Sequence, residues 1–185
     1  ALILGDNIFH GAGMGRTLKD LDKSGATIFA HRVANPEAYG VLEFSADGEV
    51  LSIEEKPEGP KSNYVVPGLY FYDSRVVDIA KQLKPSARGE LEITAVNEAY
   101  LLAGELVVRK LEYGTQWVDT GSIESLQNAS EYVKSIELEL GAKINVPEEV
   151  AWRLGYISDS ELRLEAAKFA SSGYGDYLLG LLVND

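Results

Sequence analysis

The sequence predicts an α/β core followed by a small all-helical subdomain. Three observations carry this. Short β-favouring runs alternate with helical stretches up to about residue 145, and helix signals alone follow over residues 146–185. An Asp47-Gly48 pair lies between two β-favouring runs and marks a hairpin, because Gly tolerates the positive φ of a tight turn. In the tail, Pro147-Glu148-Glu149 and Ser158-Asp159-Ser160-Glu161 are helix starts, the second a capping box. The domains are therefore placed at 1–145 and 146–185.

The elements follow in order. Residues 1–4 form an apolar run ended by Gly5 and read as a buried strand, with Gly5-Asp6-Asn7 as a loop. The Gly11–Gly15 stretch is a flexible turn into a helix over 16–23, where Leu18 and Leu21 give an apolar edge. Residues 26–33 read as a strand, and 41–44 with 50–53 as the hairpin. A further strand over 64–72 is interrupted by Pro67-Gly68, which signals a bulge or a close backbone approach. Helices are expected over 75–83 and 92–103, and strands over 107–113 and 116–119. A long helix over 122–140 stops at Gly141, and the last helix covers 174–183.

Composition narrows the function classes. Hydrophobic residues make up 45% and charged residues 25% of the 185, the usage of a globular chain rather than a disordered or collagen-like one. No apolar run approaches the roughly 20 residues of a membrane span. The absence of cysteine excludes disulfides, zinc–thiolate sites and thiol catalysis, and suits a cytoplasmic enzyme. With 29 acids against 17 bases the formal charge is −12, which argues against a nucleic acid partner. The chain opens at Ala1 on an apolar run with Met14 as its only Met, and nothing there has the form of a signal peptide. The beginning reads as cut rather than targeted.

A few side chains carry chemistry. Asp6 follows an apolar strand, where ligands of open α/β sheets bind, and a carboxylate there suits Mg²⁺ shared with phosphates. The same position also suits an Asp that only forms a turn. Trp117-Val118-Asp119-Thr120-Gly121 repeats the pattern, and Asp119 or Thr120 could equally cap the next helix. Glu54-Glu55-Lys56-Pro57 ends the hairpin. Regular alternation puts Glu55 and Lys56 on opposite faces, and Pro57 favours extended backbone at Lys56. Lys56 is a phosphate ligand or one of a solvated edge cluster. Arg88 in its polar loop is a bidentate phosphate reader or a surface Arg. His10 and His31 have no metal spacing, Gly11-x-Gly13-x-Gly15 lacks the dinucleotide spacing, and no P-loop is present.

The ordered strings Leu4-Gly5-Asp6-Asn7-Ile8-Phe9, Tyr39-Gly40-Val41, Ser52–Pro57, Val66–Asp73, Arg88–Thr94 and Trp117–Gly121 together resemble the glucose-1-phosphate thymidylyltransferase family of sugar nucleotidyltransferases. The resemblance extends to Glu149–Arg153 and Gly173–Leu179. It implies a Rossmann-like nucleotidyltransferase fold, a mostly parallel or mixed sheet between helices, here only in part. It implies thymidylyl transfer from dTTP to glucose 1-phosphate, toward dTDP-rhamnose and other deoxysugars. By motif, Lys56 and Arg88 would be catalytic and clamp the sugar phosphate. Asp6, Asn7, Tyr39, Gly40, Glu55, Val66 and Tyr70 would bind substrate, and Asp6 and Asp119 would hold Mg²⁺. The resemblance also implies a homo-oligomer, suspected to be a tetramer, with an effector pocket in the helical subdomain. The family's opening G-G-x-G-T-R-L loop, its Lys and its thymine-reading residues do not occur in this sequence. The chain alone is therefore expected to be catalytically incompetent, with exposed core faces. Relatives using UTP, CTP or ATP, and a non-catalytic piece acting in binding or assembly, remain the competing readings.

Overall fold

A computed structural model describes residues 1–11, 14–19, 21 and 24–184. The chain divides into two compact units, Ala1–Leu126 and Gln127–Asp185. The first unit contains β1 (Leu2–Ile3), β2 (Asn7–His10), α1 (Met14–Lys19) and β3 (Ala26–Arg32). After a 3₁₀ turn at Pro36–Ala38 come β4 (Gly40–Phe44), β5 (Val50–Glu55), β6 (Tyr64–Val65) and β7 (Leu69–Tyr72). Then follow α2 (Val76–Gln82), α3 (Ile93–Leu102), β8 (Leu106–Lys110) and β9 (Gln116–Asp119). The boundary falls inside α4 (Ile123–Leu140), and the second unit continues with α5 (Pro147–Arg153), α6 (Asp159–Ala167) and α7 (Gly173–Asn184).

The main sheet runs β1-β7-β3-β6-β4-β5, with β8 beside β3, while β2 and β9 form a separate ribbon. It is mixed, as expected, but mostly antiparallel rather than mostly parallel. Among the described pairings only β3–β8 is parallel. The reason is connection length. The β4–β5 hairpin joins its strands directly, whereas a parallel pair needs a long crossover, here supplied by a stretch that includes α2 and α3.

β3 is the hub. Its run Ala26–Ala30 is buried throughout, as a strand covered on both faces requires. Ile28 and Ala30 join Leu42, Ile53, Val66 and Tyr70 in one core cluster, and Ala26 joins Val96 and Tyr100 of α3 in another. Phe29 points the other way and meets Phe71 edge-on at 6.3 Å. The strand expected over 64–72 is broken at Pro67-Gly68 into β6 and β7. Between the pairs Ile28↔Tyr70 and His31↔Val65, β3 advances by fewer residues than its partner, so the extra chain bulges out.

Other expectations change. Residues 1–4 are exposed rather than buried, with Ile3 57% accessible, because β1 pairs on one side only, with β7. Asn7, read as part of a loop, and residues 8–10, assigned to no element, form β2, whose partner β9 is far away in sequence and invisible to local patterning. The first helix begins at Met14 rather than Arg16. The rest of its expected span, at residues 20, 22 and 23, lies outside the described residues. The units divide at 126/127, earlier than residue 145. Most of α4 groups with the following helices, and Glu137 ties it to the next loop by accepting from Lys143 Nζ (3.2 Å) and Ile144 N (3.3 Å).

The second unit packs around Val146, Leu162, Ala166 and Leu178. The capping box at α6 forms as expected. Ser158 Oγ accepts from Glu161 N at 3.3 Å, and Glu161 Oε2 accepts from Ser158 N at 2.7 Å. The Tyr174 hydroxyl donates to Glu148, and the Tyr177 hydroxyl donates to Glu149 Oε2 at 2.5 Å, fastening α7 to α5. No helix among the described residues is long and apolar enough to cross a membrane.

Candidate active site

The ends of β4, β5 and β9 and the break between β6 and β7 surround a cleft of about 180 Å³ in the first unit. Gly40 opens β4, and its Cα lies against Thr94 and Glu55; a Cβ there would meet Thr94 Oγ1 at 3.1 Å and Glu55 Oε2 at 3.4 Å. Glu55 ends β5 and is held by Thr94, whose hydroxyl donates to Glu55 Oε2 at 2.5 Å.

Lys56 departs from expectation. Its φ is +45°, left-handed rather than extended, despite the following proline. The chain has left the ladder here, and Lys56 N donates to Tyr39 O at 2.9 Å. This turn cancels the alternation, so Glu55 and Lys56 line the same cleft instead of opposite faces. A non-Gly residue in this region costs about 1–3 kcal/mol, and such strain concentrates at functional sites. Lys56 has no ion-pair partner among the described residues.

Val66 and Tyr70, on either side of the Pro67-Gly68 bulge, line the cleft, as do Tyr39 and Trp117. Trp117 meets Tyr39 edge-on at 5.0 Å and His31 at 5.8 Å. Burial, reinforced by Glu55 and Asp6, pushes the Tyr70 hydroxyl well above its ordinary range. Burial and then Asp119 raise the Tyr39 hydroxyl as well. Both phenols therefore stay protonated and can donate to a ligand oxygen.

The ribbon places the two aspartates together. Asn7 pairs with Asp119 in register, and Thr120 N donates to Asp6 O at 2.8 Å. A Cβ on Gly121 would lie 3.0 Å from Asp119 Oδ1, which accepts from Gly121 N at 2.8 Å, and 3.6 Å from Asp6 Oδ2, so both carboxylates border this glycine. Two neighbouring carboxylates of this kind suit Mg²⁺, which commonly takes one or two carboxylates and completes its shell with water and phosphate. No group of three or more His, Asp or Glu side chains able to hold a metal occurs among the described residues. The donor set therefore fits a cation shared with a substrate rather than a closed protein cage.

The cleft thus gathers Asn7, Tyr39, Gly40, Glu55, Lys56, Val66, Tyr70 and Asp119 of the residues singled out in the sequence. Asp6 adjoins it through Asn7 and Gly121. Arg88 does not line it. Its guanidinium pairs with Glu90 (3.0 Å) and Glu92 (3.3 Å) and comes within 4.0 Å of Glu55 Oε1. Sequence reasoning passed over Thr94, Asn97 and Trp117 as lining residues. Trp117 shares the strand face of Asp119 two residues on, and Asn97 lies one helical turn from Ile93 and Thr94, so both periodicities pointed inward.

The nucleotidyl transferase family model matches residues 1–136. The chain is 57% identical over 183 residues to the glucose-1-phosphate thymidylyltransferase of Mycolicibacterium smegmatis, covering 98% of this chain and 64% of that protein. It is 50% identical to the enzyme of the same name from Neisseria meningitidis, again over 98% and 64%. It thus spans just under two thirds of the length of these relatives. Among solved structures, a Bacillus anthracis protein described as a glucose-1-phosphate thymidylyltransferase, in complex with sucrose, aligns with a TM-score of 0.61 at 42% identity. That alignment covers 70% of this chain and 52% of the other. A UDP-glucose pyrophosphorylase bound to UDP-glucose shares the fold at a TM-score of 0.60 and 21% identity, over 72% and 55%. With its family model spanning the unit that holds the cleft, the chain belongs to the nucleotidyl transferase family.

Proposed function

We propose that the first unit serves transfer of a thymidylyl group from dTTP to glucose 1-phosphate, yielding dTDP-glucose and pyrophosphate, and that this chain supplies the sugar-phosphate part of the site. The observation that carries the reading is the left-handed turn at Lys56. It brings a carboxylate able to bind hydroxyls and an ammonium able to bind phosphate, adjacent in sequence, into one cleft that Asp119 also lines.

The reaction forms a bond from the sugar phosphate oxygen to the α-phosphorus and breaks the bond to the pyrophosphate oxygen. The protein's work is alignment and charge neutralisation. Glu55, held by Thr94, accepts hydrogen bonds from sugar hydroxyls, beside the backbone of Gly40 and Val66. Tyr39, Tyr70 and Asn7 wall the ring, and Lys56 meets the phosphate. Arg88 would exchange Glu90 and Glu92 for that phosphate, whose dianion accepts its guanidinium bidentately. Asp6 and Asp119 would hold Mg²⁺, which when bound neutralises phosphate charge. The choice of dTTP over UTP rests on the names of the relatives at 48–57% identity.

Pyrophosphate release from dTTP and glucose 1-phosphate, measured on the protein that carries this chain, tests the reading. Lys56→Ala and Arg88→Ala should each lower kcat/KM for glucose 1-phosphate by more than about tenfold, some 1.4 kcal/mol of barrier. Unchanged kinetics in both variants would return the two cations to the surface. Faster turnover with UTP, CTP or ATP than with dTTP would move the reading to another base.

A further inference from the structure

Asn7 lines the cleft, yet its amide is largely spent inside the protein. Its Oδ1 accepts from Gly68 N at 3.0 Å and from Trp117 Nε1 at 2.6 Å, two donors for the two lone pairs of an amide oxygen. Its Nδ2 donates to Asp6 Oδ1 at 2.8 Å, which leaves a single N–H for anything else. Asp6 itself is exposed, and its backbone carbonyl is held by Thr120 N and Thr120 Oγ1. Among the described residues the Asn7 amide supplies the one side-chain hydrogen bond to the Asp6 carboxylate. With Oδ1 so engaged, Oδ2 is the oxygen that looks across Gly121 toward Asp119.

The bulge in the β6–β7 strand makes this possible. A Cβ on Gly68 would lie 2.8 Å from Asn7 Oδ1 and 2.7 Å from the Leu4 side chain, so only glycine lets the amide reach the backbone there. Asn7 therefore ties two separate pieces of chain, the bulge through Gly68 and β9 through Trp117, to the acid that precedes β2.

We infer that Asn7 is a positioning residue. From the wall of the cleft it sets the rotation of the Asp6 carboxylate, and so the affinity of the Asp6–Asp119 pair for a divalent cation. This rests on the reading of those two aspartates as cation ligands. Outer-shell partners of this kind typically change metal affinity by about 10–100-fold.

The test is Mn²⁺ binding to the protein, followed by the EPR signal of the free ion. Asn7→Leu keeps the bulk but removes the amide, and should weaken Mn²⁺ binding by at least about tenfold. Gly68→Ala keeps Asn7 and crowds its Oδ1, and should weaken binding in the same direction by less. The chain has two tryptophans, so a Trp152→Phe background isolates Trp117, whose emission should shift in both variants as its N–H loses its partner. A folded Asn7→Leu protein whose Mn²⁺ affinity stays within about twofold of wild type overturns the inference. If Asn7→Leu does not fold, wild-type affinity in Gly68→Ala together with a shifted Trp117 emission overturns it instead. If Asp119→Asn binds Mn²⁺ as the wild type does, the cation reading itself fails and this inference fails with it.

Discussion

Lys56 shows how one dihedral changes what a strand end presents. Its neighbour Pro57 argues for extended backbone, and the structure has φ +45° instead. The bond from Lys56 N to Tyr39 O is a contact with another segment, and local preference gives way to it. The residue types at the site were therefore legible in the sequence, whereas the shared face of Glu55 and Lys56 was not. His31 yields a pH prediction at the same scale. Burial lowers its pKa below the ordinary 6.5, so the folded state holds it neutral. The unfolded state then binds the proton more readily, and the stability tied to this group is present above the unfolded pKa and lost as pH falls through and below it. Urea unfolding should show the wild type losing stability relative to His31→Gln between about pH 7.5 and about pH 5.5. Parallel pH profiles for the two proteins would remove His31 from the account.

Among the elements, those with local signals were legible: the Asp47-Gly48 hairpin, the capping box of α6, the Pro147 helix start and the break at Pro67-Gly68. The β2–β9 ribbon was not, because neither Asn7–His10 nor Gln116–Asp119 carries any mark of its distant partner. That ribbon is the element that brings Asp6 to Asp119, so the proximity of the two acids was hidden with it. The junction at the start of β3 is equally non-local. Gly25 has φ +70°, its N donates to Asp73 Oδ2 at 3.0 Å, and a Cβ on it would lie 2.3 Å from the Glu105 carbonyl oxygen. Gly25→Ala should therefore cost about 3 kcal/mol or more in chemical unfolding, since left-handed strain and a backbone clash add at one residue. A loss below about 1 kcal/mol would mean that the β3–β8 edge yields more readily than a packed sheet should.

On the scale of the molecule, the formal charge of −12 describes a surface that repels polyanions, while the cleft sets one cation, Lys56, beside Glu55, Asp119 and hydrogen-bonding groups, the set proposed to take one small phosphorylated ligand. The order of the motifs along the chain pointed to the family, and the family model bears that out over residues 1–136. The three-dimensional meeting of β4, β5, β9, α3 and the bulge could not be read from that order, which is why Thr94, Asn97 and Trp117 enter the site only from the structure. The central claim is that this cleft recognises a hexose 1-phosphate. Calorimetric titration with glucose 1-phosphate tests it most directly. Saturable one-site binding is expected, weakened by at least about tenfold in Glu55→Gln and in Lys56→Ala, with free glucose binding far more weakly. Absence of saturable binding at millimolar ligand, or binding undiminished in both variants, would contradict it.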